Sequence, residues 1–95
     1  MEVKQLELEK GTALGIMVEM PTAPLLLIKA RRGFVMCGYL NMAAANKMGD
    51  AAGRVSGVRS FDDVLNAKIV EVSEKAKEQG AKEGMTGREF LNHFM

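Results

Sequence analysis

Along the first forty residues the apolar positions recur two apart. Leu6 and Leu8 alternate with Glu7 and Glu9, the period of a half-buried strand. Lys10-Gly11 marks a turn. Leu14, Ile16, Val18 and Met20 then line one face of a second strand, whose other face, with Ala13, Gly15, Met17 and Glu19, is only half polar. Pro21-Thr22-Ala23-Pro24 ends that strand, because proline has no N–H to give to a ladder. Leu25 to Ala30 is apolar on both faces, as a central strand is. Arg31-Arg32-Gly33 connects it to Phe34-Val35-Met36-Cys37. Links this short join antiparallel neighbours, so the N-terminal region reads as a β-meander.

Beyond residue 40 the spacing lengthens to that of helices. Asn41 is placed to cap a helix over 42–52, with Met42, Ala45, Met48 and Ala52 on one face and Gly53 as its stop. Residues 54–58 read as a short strand. Ser60-Phe61-Asp62-Asp63 reads as a capping box opening a short helix. Ile69, Val72 and Ala76 predict a further helix carrying Glu71 and Lys75 as an i,i+4 pair and ending at Gly80. Thr86-Gly87-Arg88-Glu89 is a second capping box, leading into Phe90, Leu91 and Phe94. Strand 34–40, helix 42–52 and strand 54–58 make a compact βαβ unit, its crossover near the minimum length for parallel strands. The expected fold is α+β: an N-terminal antiparallel β-meander, then a βαβ unit and C-terminal helices packed on a mixed sheet. Residues 1–95 form one domain.

Composition narrows the function classes. Thirteen basic and twelve acidic residues leave a formal charge of +1, which provides no pull toward nucleic acid, and Tyr39 with four phenylalanines offers few stacking platforms. Arg31-Arg32 is too short a basic run to change that. The longest apolar run, Leu25–Ile28, is far below the ~20 residues of a membrane span. The N-terminal stretch carries Glu2 and Lys4 and no apolar signal core. Cys37 is the only cysteine and His93 the only histidine, too few donors for a structural zinc site. A lone thiol suits a reducing compartment, so the expected location is the cytoplasm. No cofactor, metal, nucleic acid or membrane is expected as a partner.

Ligands of open sheets settle beyond the carboxyl ends of parallel strands. Here those ends carry Cys37, Gly38 and Asn41 from one strand and Gly57, Arg59 and Ser60 from the other. Cys37, close to a helix start and within reach of Arg59, is the candidate nucleophile, since nearby positive charge lowers a thiol pKa. Free cysteine is equally a small core hydrophobe. Gly38, Asn41, Gly57, Arg59 and Ser60 are candidate contacts for a small anion, through a guanidinium, polar side chains and backbone N–H groups. The same glycine and serine positions also suit a plain strand-to-helix turn. His93, close to the end of the sequence, reads as a surface or packing residue rather than a base for the thiol.

The run Leu25-Leu26-Leu27-Ile28-Lys29-Ala30-Arg31-Arg32-Gly33-Phe34-Val35-Met36-Cys37-Gly38-Tyr39-Leu40-Asn41, with the later Ala52-Gly53-Arg54-Val55-Ser56-Gly57-Val58-Arg59-Ser60 and Gly84-Met85-Thr86-Gly87-Arg88, resembles the signature of the YunC-like proteins, small bacterial and archaeal domains of unknown function. The resemblance spans nearly the whole chain. It implies an α+β domain whose N-terminal β region, residues 1–30 here, assembles subunits into an oligomer such as a tetramer. It brings no catalytic residue and no activity.

Two readings follow. One is a homo-oligomeric small-molecule-binding or regulatory module without catalysis, which the scarcity of acid–base residues favours. The other is a thiol-dependent enzyme or small-anion sensor using Cys37 with Arg59 as the anion contact. The thiol chemistry requires an exposed Cys37 within about 10 Å of Arg59, because catalytic groups must reach one shared ligand.

Overall fold

The computed structural model describes residues 1–95. Six strands lie side by side in chain order: β1 (Glu2–Leu8), β2 (Gly11–Val18), β3 (Leu25–Lys29), β4 (Phe34–Met36), β5 (Ala52–Arg54) and β6 (Glu71–Val72). All neighbours are antiparallel except β4 and β5, which run parallel and are joined through α1 (Met42–Met48). The remaining helices are α2 (Phe61–Asn66), α3 (Glu74–Glu78) and α4 (Gly87–His93). The α+β architecture read from the sequence, meander then βαβ unit then C-terminal helices on a mixed sheet, is the one observed.

Strand alternation sorts the side chains into two clusters on opposite faces. Ala13, Leu26, Ile28 and Val35 point to one face and are buried with Phe61, Val64, Phe90, Leu91 and Phe94 of α2 and α4. Burying each large side chain contributes roughly 1.5–3 kcal/mol, so this layer supplies most of the stability. Gly15 and Gly53 leave the room these helices need. A Cβ on Gly15 would stand 2.8 Å from the Phe61 ring, and one on Gly53 3.0 Å from Ile69. The opposite face carries only α1, whose Met42 and Ala45 cover Met36 and Ala52, with Leu27 and Phe34 at the margin.

Four local expectations need correction. The first helix ends at Met48, four residues early, because Gly49 takes the left-handed conformation (φ 78°) and closes the cap with its N–H. Gly53 is therefore not a helix stop but a strand residue, and the fifth strand occupies 52–54 rather than 54–58. The fourth strand ends at Met36, not residue 40, where the chain turns and the Leu40 N–H bonds the Cys37 carbonyl. Finally, the stretch around Ile69 and Val72 is extended. The Val70 N–H donates to the Arg54 carbonyl and the Ser73 N–H to the Ala52 carbonyl, and helix α3 starts only after Ser73. Glu71 consequently pairs across the sheet with Arg54, at 3.0 Å, and not along a helix with Lys75.

Each capping residue caps the helix read for it, but only Thr86-Glu89 closes a box: the Asp63 carboxylate accepts from the Arg59 N–H and not from that of Ser60. Asn41 accepts from the Ala43 N–H, Ser60 from the Asp63 N–H, and Thr86 and Glu89 satisfy one another's backbone N–H groups. Ser73, which is fully buried, caps α3, accepts from the Ala52 N–H and donates to the Asp50 carbonyl. At the far end of the sheet, the β1–β2 turn is held to α4. Asn92 accepts from the Lys10 N–H and donates to Glu9, and Arg88 approaches the same carboxylate.

Candidate ligand-binding site at the carboxyl ends of the parallel strands

Because β4 and β5 are parallel, the segments that leave them emerge at one edge of the sheet. The β4 exit provides Cys37, Gly38 and Tyr39; the β5 exit leads to Gly57, Val58 and Arg59. Together with Ala23 and Pro24 they line one open cavity of about 360 Å³. Four of the six residues read as a site from the sequence, Cys37, Gly38, Gly57 and Arg59, thus share a wall.

The other two do not line it. Asn41 turns its side-chain oxygen onto the Ala43 N–H and borders a different groove, beside α1. Ser60 is occupied as the cap of α2 and borders a depression near Glu2, Lys4 and Asp62. Both residues were singled out for polar atoms near a helix start, and capping uses those atoms.

Cys37 is a wall residue, only 3% exposed. Its backbone N–H donates to the Leu26 carbonyl and its Sγ accepts from the Leu26 N–H at 3.3 Å, which ties the thiol into the β3 edge. The exposed thiol that the thiol-enzyme reading requires is absent, and the thiol packs as a small hydrophobe with a weak acceptor. Arg59 is exposed and its guanidinium forms no ion pair. Its backbone N–H donates to the Asp63 carboxylate at 3.0 Å, which fixes the turn from which the side chain projects.

The glycines are the approachable part of the wall. A Cβ at Gly38 or Gly57 would meet nothing within 4 Å, and Gly57 holds a φ of 70° that other residues resist. Neither glycine's N–H has a partner within the chain. Free backbone donors beside an unpaired guanidinium form a setting for an anionic oxygen. Tyr39 and the Ala23-Pro24 corner were not read as site residues from the sequence. Their position follows from the antiparallel pairing of β3 with β4, which brings the start of one strand beside the end of the other.

His93 lies elsewhere, with its imidazole against the Gln79 carbonyl and edge-on to Phe94, so it is not a base for Cys37. No group of three or more His, Cys, Asp or Glu side chains is arranged to hold a metal ion, and no helix is long and apolar enough to cross a membrane.

Residues 36–94 match the family described as a domain of unknown function, DUF1805. The uncharacterized protein YunC of Bacillus subtilis is 36% identical over 84 residues, covering 84% of this chain and 83% of its own length. The crystal structure of a protein of unknown function, TA1206 from Thermoplasma acidophilum, is similar with a TM-score of 0.93 and 38% identity, over 99% of this chain and 92% of that one.

Proposed function

The chain belongs to the DUF1805 family, a name that assigns no chemistry, and on that footing we propose from the site itself that it is a homo-oligomeric module that binds a small anionic molecule, without catalysis of its own. The observation that carries this reading is the convergence of Gly38, Gly57 and Arg59 on the lining of one open cavity, the glycine N–H groups without partners and the guanidinium without an ion pair. A carboxylate or phosphate there gains charge-assisted hydrogen bonds from Arg59. Cys37 serves as apolar wall, and its burial weighs against the thiol-enzyme alternative.

Assembly through the N-terminal strands is supported by the face that α1 leaves bare. Val3 of β1, Ile16 of β2 and Leu27 of β3 stand opposite one another in register, forming an apolar row across three strands. Val3 is 55% exposed, and Leu14 and Met20 are exposed nearby. Such a surface is a natural contact for a second copy, and a chain this short gains stability by it.

Calorimetric titration with inorganic phosphate and with small carboxylates tests the binding. The expected result is one site per chain, lost in Arg59→Ala with the fold intact. Absence of anion binding in the wild-type protein overturns the reading. Alkylation of Cys37 in the native protein separates the alternative: slow reaction until denaturation fits the wall role, whereas fast reaction with a midpoint below the free-thiol range restores the thiol chemistry. For assembly, a monomer in sedimentation at micromolar concentration, unchanged by removing β1, removes the oligomeric part.

A further inference from the structure

On the face of the sheet that carries α1, an open groove of about 330 Å³ runs between that helix and strands β3 and β4. Its floor is Leu27, Phe34 and Met36, and its wall is Ala44 and Met48. Met48 is 76% exposed, which is unusual for a large apolar side chain beside so apolar a floor. Only three polar residues border the groove, and two of them carry charge: Lys29 and Asp50. Lys29 stands opposite Phe34 in the β3–β4 register, and the Phe34 N–H is bonded to the carbonyl of Ala51, next to Asp50. The two charges therefore lie near the same end of the groove, on either side of Phe34. They form no ion pair with each other or with any other side chain. Lys29 Nζ reaches only its own neighbour's carbonyl, at 3.4 Å.

We propose that this groove binds a free apolar amino acid as its zwitterion, a second ligand site separate from the Arg59 cavity. Lys29 meets the α-carboxylate, Asp50 meets the α-ammonium, and the aliphatic or aromatic side chain lies on Leu27, Phe34 and Met36. The pair of exposed opposite charges, neither in an ion pair, selects this class. A fatty acid or other simple carboxylate brings a negative group toward Asp50, and a simple amine brings a positive one toward Lys29. An internal peptide segment has neither terminal charge. The groove falls at the small end of the ligand-pocket range, as suits a molecule of this size. Methionine in both floor and wall adapts to leucine, methionine or phenylalanine side chains alike.

The test is calorimetric titration of the full chain at low salt with L-leucine, 4-methylpentanoate and isopentylamine. The last two keep the branched chain but only one charge each. The expected result is one leucine per chain, with each single-charge analogue weaker by about tenfold or more. Lys29→Gln and Asp50→Asn should each weaken leucine by about tenfold, while Ala44→Phe, at an exposed helix position, fills the groove and abolishes binding at an unchanged melting temperature. No leucine binding up to ~10 mM, equal binding of an analogue, or undiminished binding in Ala44→Phe overturns the proposal. So does a wild-type protein that ignores leucine while Ala44→Phe alters its sedimentation, since the groove is then a contact between copies. Arg59→Ala should leave leucine binding unchanged, which keeps this result independent of the anion site.

Discussion

The two faces of the sheet are built to different ends. On one, α2 and α4 close over Leu26, Ile28 and Val35, and the phenylalanines at 90 and 94 are wholly buried, with ring centroids 4.7 Å apart. On the other, a single seven-residue helix covers two strands and leaves Val3, Leu14 and Met48 in solvent. The same apolar residue types thus serve cohesion on one side and availability on the other. Helix α1 divides that second face into an open apolar row over β1–β3 and a groove with two opposite charges near one end. Hydrophobicity alone does not tell these roles apart; what differs is whether the chain supplies its own cover.

The contrast can be broken most forcefully on the closed face. Phe90→Ala should cost about 4 kcal/mol in denaturant unfolding, because the ring is wholly buried and its removal leaves a cavity. Gly87→Ala should come next, at about 3 kcal/mol, since a Cβ there would run into the backbone of α2 at Val64. Ser73→Ala should lose about 2 kcal/mol, as it removes the cap of α3 and leaves the buried Ala52 N–H without its acceptor. On the open face, Leu14→Ser should change unfolding of the isolated chain by no more than about 0.5 kcal/mol, while shifting the sedimentation profile toward smaller species. A loss of stability like that of Phe90→Ala would show the open face to be core after all.

The smallest effect is electrostatic and sharpens the comparison at the hinge of the two faces, the β1–β2 turn. The Asn92 side chain, and then Arg88, hold the Glu9 carboxyl below its ordinary pKa. A depressed carboxylate stabilises the fold above its unfolded pKa, and that contribution fades as pH falls through the lower folded value. The wild type and Glu9→Gln should therefore differ in melting temperature at neutral pH and converge in acid below the carboxylate range. A gap that persists there would mean that Glu9 acts through something other than its charge.

Much of this fold was legible because its signals are local. Period-two spacing marks β1 and β2, a short run apolar on both faces marks β3, the Pro21–Pro24 break separates β2 from β3, and each of Asn41, Ser60 and Thr86 announces the helix it caps. What escaped was decided at longer range. Ile69, Val72 and Ala76 are spaced as on a helix, yet hydrogen bonds to Ala52 and Arg54 hold that stretch against β5, and a two-residue strand has no period to read. Gly53 suits a helix stop by sequence, yet Gly49 closes the cap and the packing of Ile69 and Phe90 reserves Gly53 for the sheet. At the site, the convergence of Gly38, Gly57 and Arg59 follows from a parallel pair that the spacing of the βαβ unit foretells. The burial of Cys37 does not follow from it, because Leu26 on the neighbouring strand takes both its backbone and its sulfur. The groove beside α1 was hidden for a similar reason: Met42, Ala45 and Met48 share a face by spacing, but nothing in that spacing says that the first two are buried and Met48 is left exposed.

The clamp of Asn92 and Arg88 on the β1–β2 turn spans more than eighty residues of chain, and α4 also provides Phe90, Leu91 and Phe94 to the closed face. On the ribosome, β1 and β2 therefore emerge long before the helix that seals them. The sheet waits, with its inner face bare, until residue 94 has left the exit tunnel. Completion of the closed face therefore waits for α4, and the interval before it is when a nascent chain of this kind most needs a chaperone.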